Sequence, residues 1–391
     1  MPTVVALDLP RGPPFLEALR RVWDAGDTAA PLDPRLPPGP ARDLLAALRP
    51  GALIGPDGDR RTLEGGLPSE PGDALLVATS GSTGLPRGVL LSHAAVEASA
   101  RATSARLAVD SDRDRWLACL PLAHIGGLSV VTRALLTGTP VEIHPGMDPP
   151  AVEAAARDRG ATLVSLVTAA VRKIDPSLFR LILLGGAAPP ADPPPNAIAT
   201  YGMTETGSGI VYDGLPLEGV ELAMGDGHGS GAEGEILIRA PMLLRCYRDG
   251  TDPRLPGGWF PTGDAGALDP TGRLTVAGRI AEVIVTGGEK VWPAAVEALL
   301  AGLRGPTGRP TLAEVAVAGV PDPDWGQLVV AYAVPADPAD PPTLGGLREA
   351  LVEELPGWAA PRRLVLLGAL PRLPGGKLDR SRLAPGPSAL E

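Results

Sequence analysis

The run from Thr79 to Gly88 has the composition of a phosphate-binding loop. Its sequence, TSGSTGLPRG, combines three glycines and four hydroxyl side chains with Arg87. Glycines let backbone N–H groups approach an anion closely, and a guanidinium adds a permanent cation that can donate two hydrogen bonds to phosphate. The run is not a Walker A motif, because the spacing GxxxxGK[ST] is absent. The residues alone leave phosphate binding and an ordinary surface loop equally open.

Other catalytic patterns in the chain are weaker. The segment GSGAEG at 229–234 fits GxGxxG, but it precedes a predicted strand instead of joining a strand to a helix, so we interpret it as a turn. No GxSxG or HExxH sequence occurs, which leaves serine-hydrolase and zincin functions without support. Cys119 and Cys246 are far apart and form no CxxC, which disfavours a zinc site or a disulfide and favours a reducing compartment.

Charge and hydrophobicity exclude two further classes. The formal net charge of −10 disfavours a general nucleic-acid-binding protein. The N-terminus lacks the pattern of a signal peptide, and no apolar run approaches the ~20 residues of a membrane helix. We therefore expect a cytoplasmic protein that does not insert into membranes. The sequence leaves the oligomeric state open, a homodimer included.

Short apolar strands alternate with helices from residue 74 onward, which predicts an α/β fold with layered sheets and helices. Strands are predicted at 74–78, 116–120, 140–143, 163–166, 181–184, 235–239, 273–277, 283–286, 314–319, 328–334 and 362–367. Helices are predicted at 15–24, 41–49, 126–137, 150–159, 293–303 and 344–354, with another that starts near Ser92.

The domain organisation follows from a change in this pattern after about residue 210. We predict a large N-terminal domain at 1–278 and a smaller, mobile C-terminal α+β domain at 279–391. Residues 1–70 are Pro-rich and weakly patterned, and only the first two helices are predicted there. Residues 79–88 are predicted to be loop throughout.

The phosphate-loop candidate resembles the corresponding loop of the adenylate-forming superfamily, which contains acyl-CoA synthetases, adenylation domains and luciferases. Relatives usually have Lys where this chain has Arg87. Further motifs follow in the order of that family: YGMTET at 201–206, WFPTGD at 259–264, GR at 278–279, GGEK at 287–290 and PGGK at 374–377. Such ordered motifs identify the chain as a member of the superfamily.

The resemblance implies a site for ATP and Mg²⁺. The loop residues expected to bind ATP are Thr79, Ser80, Gly81, Ser82, Thr83, Gly84 and Arg87. By the same resemblance, Thr204 donates to the α-phosphate and Glu205 holds Mg²⁺, a hard cation that prefers carboxylate oxygens. Residues expected around the adenosine are Gly185, Gly186 and Ala187 as a wall, Tyr201 stacked on adenine with Gly202 beside it, and Asp264 on the ribose hydroxyls.

The resemblance also implies a two-step mechanism. Lys377 and Arg279 are expected to act with Thr204 and Glu205 when a carboxylate attacks the α-phosphorus of ATP. The small domain of relatives then rotates, and the face formed by Gly287, Gly288 and Glu289 serves attack by the thiol of coenzyme A. The hinge position, polar in most relatives, is Ala281 here.

The acid-binding residues implied by the resemblance are His124, Gly126, Gly127 and Met203. The compact N-terminus and the segments PLAHIGGLS and GGEKVWP most resemble o-succinylbenzoate–CoA ligases of menaquinone biosynthesis, so the expected small-molecule carboxylic acid is an aromatic keto-diacid. Three alternatives remain open: another aryl- or acyl-CoA ligase, a stand-alone adenylation enzyme that loads a carrier protein, and an inactive nucleotide-binding protein. Retention of Lys377, Glu205 and Asp264 argues against the last alternative.

Overall fold

The structure is a computed structural model that describes residues 1–80, 86–187, 189–190, 192–225, 233–305, 308–372 and 378–383. The predicted site residues 81–84 and Lys377 therefore lie outside the described residues, as does most of the segment 229–234. Two compact units divide the chain. The first comprises Met1–Ala223, Leu237–Pro261 and Pro270–Leu274, and the second comprises Met224–Ile236, Thr262–Asp269 and Thr275–Glu391. The predicted domain boundary at residue 278 stays a prediction.

The first unit contains two seven-stranded sheets. The strands of the first sheet are β1 (Val4–Leu7), β2 (Thr28–Pro31), β3 (Ala52–Ile54), β4 (Arg60–Thr62), β5 (Asp73–Ser80), β6 (Pro86–Ser92) and β16 (Cys246–Tyr247). They lie in the order β16-β6-β5-β2-β1-β3-β4. Four of these strands lie within residues 1–70, so the prediction of helices alone there was incomplete. The run VVAL of β1 is fully buried, as is typical of a parallel strand covered on both faces.

The second sheet supplies the edge at which the residues predicted to contact adenine, the α-phosphate and the acid lie. Its strands are β7 (Trp116–Ala118), β8 (Val141–Ile143), β9 (Leu163–Leu166), β10 (Leu181–Leu184), β11 (Ala197–Met203), β12 (Ser208–Tyr212) and β13 (Leu215–Pro216), in the order β13-β12-β11-β10-β9-β7-β8. The five strands from β8 to β11 run parallel, so their carboxyl ends meet at one edge. Ligands of open α/β sheets bind at this kind of edge.

The first unit's helices are α1 (Pro13–Asp24), α2 (Pro38–Leu48), α3 (His93–Arg106), α4 (Ile125–Thr137), α5 (Pro149–Arg159) and the short α6 (Thr168–Val171), with 3₁₀ turns at Pro176–Leu178 and Thr204–Thr206. Five of these helices begin within three residues of their predicted starts, whereas the short α6 was not predicted. The Ser92 hydroxyl accepts a 3.1 Å hydrogen bond from the N–H of Ala95, which confirms Ser92 as the N-cap of α3. Proline occupies the first turn of α1, α2 and α5, where its missing N–H costs nothing.

Two sheets and two helices form most of the second unit. The strands are β14 (Glu221–Gly225), β15 (Glu233–Arg239), β17 (Phe260–Leu268) and β18 (Leu274–Arg279) in one sheet, and β19 (Ile284–Thr286), β20 (Glu289–Val291), β21 (Leu312–Asp322), β22 (Gly326–Pro335) and β23 (Arg363–Leu366) in the other. The helices are α7 (Pro293–Gly302) and α8 (Leu344–Leu351), with 3₁₀ turns at Ile280–Glu282 and Arg380–Arg382. The sheet formed by β19–β23 and the helices α7 and α8 enclose an apolar core that includes Val317, Val329 and Leu347.

The predicted α/β class with layered sheets is confirmed by these elements. Among the described residues, none of the helices has both the length and the apolar character that crossing a bilayer requires.

Candidate active site

The residues on either side of the predicted phosphate loop pair with each other. β5 and β6 are antiparallel, with Thr79 opposite Arg87 and Ser80 opposite Pro86. The prediction of loop over 79–88 was wrong at both ends, since the first two and last three of those residues continue the strands. Strand pairing therefore fixes both ends of the loop on one rigid support.

Arg87 is held against an aromatic ring. Its guanidinium carbon lies 3.5 Å from the ring centroid of Tyr247, and its Nη2 lies 3.6 Å from Oδ2 of Asp249. Tyr247 belongs to the short strand β16, whose residues pair with Val89 and Leu90 of β6. The planar guanidinium that replaces the usual lysine can stack on the ring, which an ammonium cannot do in the same way.

Tyr247 also contacts the predicted metal ligand. Its hydroxyl donates a 3.1 Å hydrogen bond to Oε1 of Glu205, and the backbone carbonyl of Glu205 accepts from the N–H of Leu244 at 2.7 Å. Burial raises the pKa of Tyr247 well above its ordinary value, and the Glu205 carboxylate raises it further. The phenol is therefore protonated and acts as a donor. The sequence analysis missed Tyr247, because nothing in its local pattern points to residue 205.

The YGMTET motif forms a strand end followed by a tight turn. β11 ends at Met203, and Glu205 is the central residue of the 3₁₀ turn that follows. The Thr206 hydroxyl accepts from the N–H of Met203 at 2.9 Å and donates to the carbonyl of Ser208 at 2.7 Å. Gly202 is required by packing, because a Cβ there would lie 2.2 Å from that same carbonyl. Thr204 and Glu205 are thus presented at the carboxyl end of β11.

The predicted adenine wall lies beside Tyr201 at the same edge. Gly185, Gly186 and Ala187 follow β10, which pairs in parallel with β11. A Cβ on Gly185 would lie 2.9 Å from Oγ1 of Thr200, and Gly186 has a φ of +80°, so glycine is needed at both positions. Gly185 is therefore required by the neighbouring Thr200 side chain, and Gly186 by its left-handed backbone conformation.

His124 and its glycines follow β7 on the same edge of the sheet. His124 is the N-cap residue of α4, with an extended backbone conformation. A Cβ on Gly127 would lie 2.4 Å from the carbonyl of Pro121, whereas one on Gly126 would meet nothing closer than 3.9 Å. Gly127 therefore has a structural reason for being glycine, while the space beside Gly126 is open.

A buried arginine that the sequence analysis missed lies further along α4. Arg133 is 2% exposed, its guanidinium carbon lies 4.9 Å from the Trp116 ring, and its Nη2 lies 3.5 Å from Oγ of Ser208. Nε and Nη1 are buried without a hydrogen-bond partner, and the described residues provide no ion pair for this side chain. Burial lowers the pKa of Arg133. A buried guanidinium without a carboxylate partner among the described residues is costly, which makes Arg133 a candidate for binding an anion.

In the second unit, two predicted site residues pair with each other. Asp264 is 6% exposed, and its Oδ1 accepts a 2.9 Å ion-paired hydrogen bond from Nε of Arg279. Arg279 also donates from Nη1 to the carbonyl of Thr262 at 3.0 Å, and the Thr262 hydroxyl accepts from the N–H of Asp264 at 3.0 Å. The Thr-Gly-Asp turn is therefore held by hydrogen bonds to its backbone and by the ion pair between Asp264 and Arg279.

The predicted thiol face is a two-residue hairpin turn. Gly287 and Gly288 join β19 to β20 with φ values of +58° and +85°, the left-handed conformation that such turns require. The N–H of Gly287 donates to the carbonyl of Trp325 at 2.8 Å. The Trp325 ring is 38% exposed and stacks on Arg362 at 3.6 Å, so an aromatic surface borders the turn.

The residues that follow Lys377 in the sequence are firmly anchored. Leu378 forms a β-bridge with Arg372. Arg380 pairs with Glu297 at 2.7 Å and with Glu282 at 2.9 Å, and it donates to the carbonyl of Val317 at 2.8 Å. The chain directly after the predicted catalytic lysine is therefore fixed to α7 and β21.

Comparison with known proteins agrees with these observations. The profile of AMP-binding enzymes matches residues 64–248, and that of the AMP-binding enzyme C-terminal domain matches residues 307–377. The probable 2-succinylbenzoate–CoA ligase of Mycobacterium tuberculosis is 37% identical over 97% of both chains. The 2-succinylbenzoate–CoA ligase of Bacillus anthracis is 33% identical over 79% of this chain and 69% of its own length.

A solved structure extends the likeness to the fold. The o-succinylbenzoate CoA synthetase of Bacillus subtilis, in complex with the acyl-adenylate intermediate OSB-AMP, superposes with a TM-score of 0.85. Its sequence identity is 27%, and the match covers 97% of this chain and 88% of that chain. From its motifs, its fold and these relatives, the chain belongs to the family of AMP-binding, adenylate-forming enzymes.

Proposed function

We propose that the protein is an AMP-forming 2-succinylbenzoate–CoA ligase of menaquinone biosynthesis. The observation that carries the proposal is the match with the M. tuberculosis ligase over 97% of both chains, with the motif residues present in order. The reaction has two steps. A substrate carboxylate attacks the α-phosphorus of ATP and releases pyrophosphate, and the thiol of coenzyme A then displaces AMP from the acyl-adenylate.

Glu205 fits the role of the Mg²⁺ ligand. Among the described residues, no group of three or more His, Cys, Asp or Glu side chains could hold a metal ion by itself. Mg²⁺ is commonly bound by one or two carboxylates together with substrate phosphates and waters, so a single carboxylate near the phosphate loop is sufficient. When bound, Mg²⁺ neutralises negative charge on the ATP phosphates.

The nucleotide roles follow the geometry of each group. Tyr201 and the turn at 185–187 offer a flat, narrow surface suited to adenine. Thr204 is presented at the strand end for the α-phosphate. Asp264 is held in place by its ion pair with Arg279 and suits the ribose hydroxyls. In this proposal Lys377 stabilises the charge that develops as the carboxylate attacks, and the Gly287–Gly288 turn serves the thiol step.

Arg133 supports a substrate with two carboxylates. Only one carboxylate of 2-succinylbenzoate is activated, so the other must be bound as an anion. Arg133 lies six residues after Gly127 on α4, and it is buried without a carboxylate partner among the described residues. Its empty donors fit the second carboxylate, since a buried ion pair requires both partners.

The cytoplasm is the proposed site of action, because ATP and coenzyme A are available there. Cys119 and Cys246 are both buried free thiols, which agrees with a reducing compartment.

The test is a panel of carboxylic acids incubated with the protein, ATP, Mg²⁺ and coenzyme A, followed by mass detection of thioesters. We expect 2-succinylbenzoyl-CoA together with AMP. Thioester with another acid but none with 2-succinylbenzoate would contradict the assigned substrate. Thioester on a carrier protein but not on coenzyme A would indicate a carrier-loading adenylation enzyme, and ATP binding without AMP release would indicate an inactive protein.

A further inference from the structure

Tyr247 lies between two charged groups with separate proposed tasks. Its ring face carries the Arg87 guanidinium at 3.5 Å, and its hydroxyl donates to Oε1 of Glu205 at 3.1 Å. We call these three residues the Arg87–Tyr247–Glu205 cluster. All belong to the first unit, and strand pairing fixes Tyr247 beside β6. The cluster therefore joins the end of the phosphate loop to the proposed metal ligand through one side chain.

The cluster keeps opposite charges apart. Arg87 and Glu205 would attract each other, and a direct ion pair would occupy the donors needed for phosphate and the oxygens needed for Mg²⁺. In the described part of the chain Arg87 pairs with Asp249 instead, and no ion pair joins it to Glu205. Tyr247 is 7% exposed, so packing holds its ring and hydroxyl in place, while the Arg87 side chain on the ring face is 42% exposed.

The hydroxyl also orients the carboxylate. Donation to Oε1 fixes the rotation of the Glu205 carboxylate and leaves Oε2 available to a cation. Outer partners of this kind orient metal ligands, and their loss typically weakens metal affinity about 10- to 100-fold.

We propose that Tyr247 is a positioning residue that orients Glu205 for Mg²⁺ and holds Arg87 for the phosphates of ATP. The proposal rests on the assignment of Glu205 and Arg87 to the ATP site. Tyr247 itself touches neither substrate nor metal in this role, and it acts through the two charged side chains. Its two functions are separable, because the ring serves Arg87 and the hydroxyl serves Glu205.

Calorimetric titration with ATP, in excess Mg²⁺ or in EDTA and without acid or coenzyme A, separates these functions. Tyr247→Phe keeps the ring, so we expect unchanged affinity for ATP in EDTA and a loss of about tenfold in the apparent Mg²⁺ affinity of the ATP complex. Tyr247→Leu removes the ring as well, so ATP affinity should also fall in EDTA. Tyr332→Phe, which removes a buried hydroxyl without a partner in the second unit, is the matched control and should change neither value.

Glu205→Gln distinguishes failure of the inference from failure of the site assignment. If Glu205→Gln weakens the Mg²⁺ dependence and Tyr247→Phe adds nothing further in that background, the proposal is supported. Unchanged Mg²⁺ dependence in a folded Tyr247→Phe variant, with an effect in Glu205→Gln, would overturn the role of Tyr247 alone. No effect in Glu205→Gln would overturn the metal-ligand assignment and the inference together.

Discussion

Two arginines, Arg133 buried in the first unit and Arg380 half-buried in the second, have opposite surroundings. Arg133 on α4 has no carboxylate partner among the described residues, and two of its nitrogen atoms make no hydrogen bond. Arg380 pairs with Glu282 and Glu297 and also binds the Val317 carbonyl. Burial lowers the pKa of Arg133, whereas at Arg380 the two glutamates outweigh burial and raise the pKa.

The difference indicates a structural role for Arg380, and it agrees with the role proposed for Arg133 in binding the second carboxylate. Arg380 is satisfied within its own unit, so its ion pairs contribute to the fold. Arg133 carries a desolvation cost that no carboxylate among the described residues offsets, although Trp116 and Ser208 contact its guanidinium. A ligand that supplies a negative charge would offset that cost. The comparison predicts that removing the two charges changes the free energy of unfolding in different directions.

The largest expected effect is on acid selectivity. Arg133→Met should lower kcat/KM for 2-succinylbenzoate about 100- to 5000-fold, because removing one partner of a buried ion pair costs about 3–5 kcal/mol. The control is steady-state kinetics with the analogue of 2-succinylbenzoate that lacks the ring carboxylate. The parent protein and Arg133→Met should have equal kcat/KM for that analogue. An equal loss for both acids would contradict the assignment of Arg133 to the second carboxylate.

The next effect is on the stability of the second unit. Arg380→Met should lower the free energy of unfolding by about 1.5–3 kcal/mol, the range for hydrogen bonds to charged groups, since it leaves the partly buried Glu282 and Glu297 without their shared cation. Denaturant unfolding followed by circular dichroism measures this change. Retention of full stability would show that the ion pairs at Arg380 are screened by solvent.

The same substitution at the other arginine should have no such cost. Arg133→Met replaces an unpaired buried charge by an apolar side chain of similar length, so the free energy of unfolding should equal or exceed that of the parent. The measurement is the same denaturant titration without ligand. A loss comparable to that of Arg380→Met would mean that Arg133 has a structural partner.

The smallest effect extends the comparison to neutral groups. The buried Tyr332 hydroxyl has no hydrogen-bond partner among the described residues, whereas that of Tyr212 bonds Oγ1 of Thr103 at 3.2 Å. Tyr212→Phe should therefore destabilise by about 1 kcal/mol, and Tyr332→Phe should be neutral or slightly stabilising. Thermal unfolding of the two variants side by side checks the sign of the difference.

The sequence predicted the elements whose pattern is local. Strands such as Leu163–Leu166 and Leu181–Leu184 were placed correctly, because a short apolar run between turn residues is a local signal. The four strands within residues 1–70 were missed because each has only three or four residues, too few to show a period, in a Pro-rich part of the chain. The ends of the phosphate loop were missed because strand pairing, not composition, extends β5 and β6.

The candidate site was predictable only as far as its motifs. The roles proposed for Glu205 and Asp264 could be assigned from their motifs. Tyr247 and Arg133 act on residues 42 and 75 positions away, at Glu205 and Ser208, so no local pattern reveals them. A glycine within a motif is not by itself evidence of ligand binding, since Gly127 and Gly202 are required by backbone packing.

Acid-dependent exchange between ATP and pyrophosphate, measured without coenzyme A, tests the proposed ligase chemistry most directly. The parent protein should exchange label only when 2-succinylbenzoate is present. Lys377→Ala should abolish this exchange and still convert supplied acyl-adenylate and coenzyme A to the thioester. Exchange that ignores the acid, or equal loss of both half-reactions in the variant, would contradict the account.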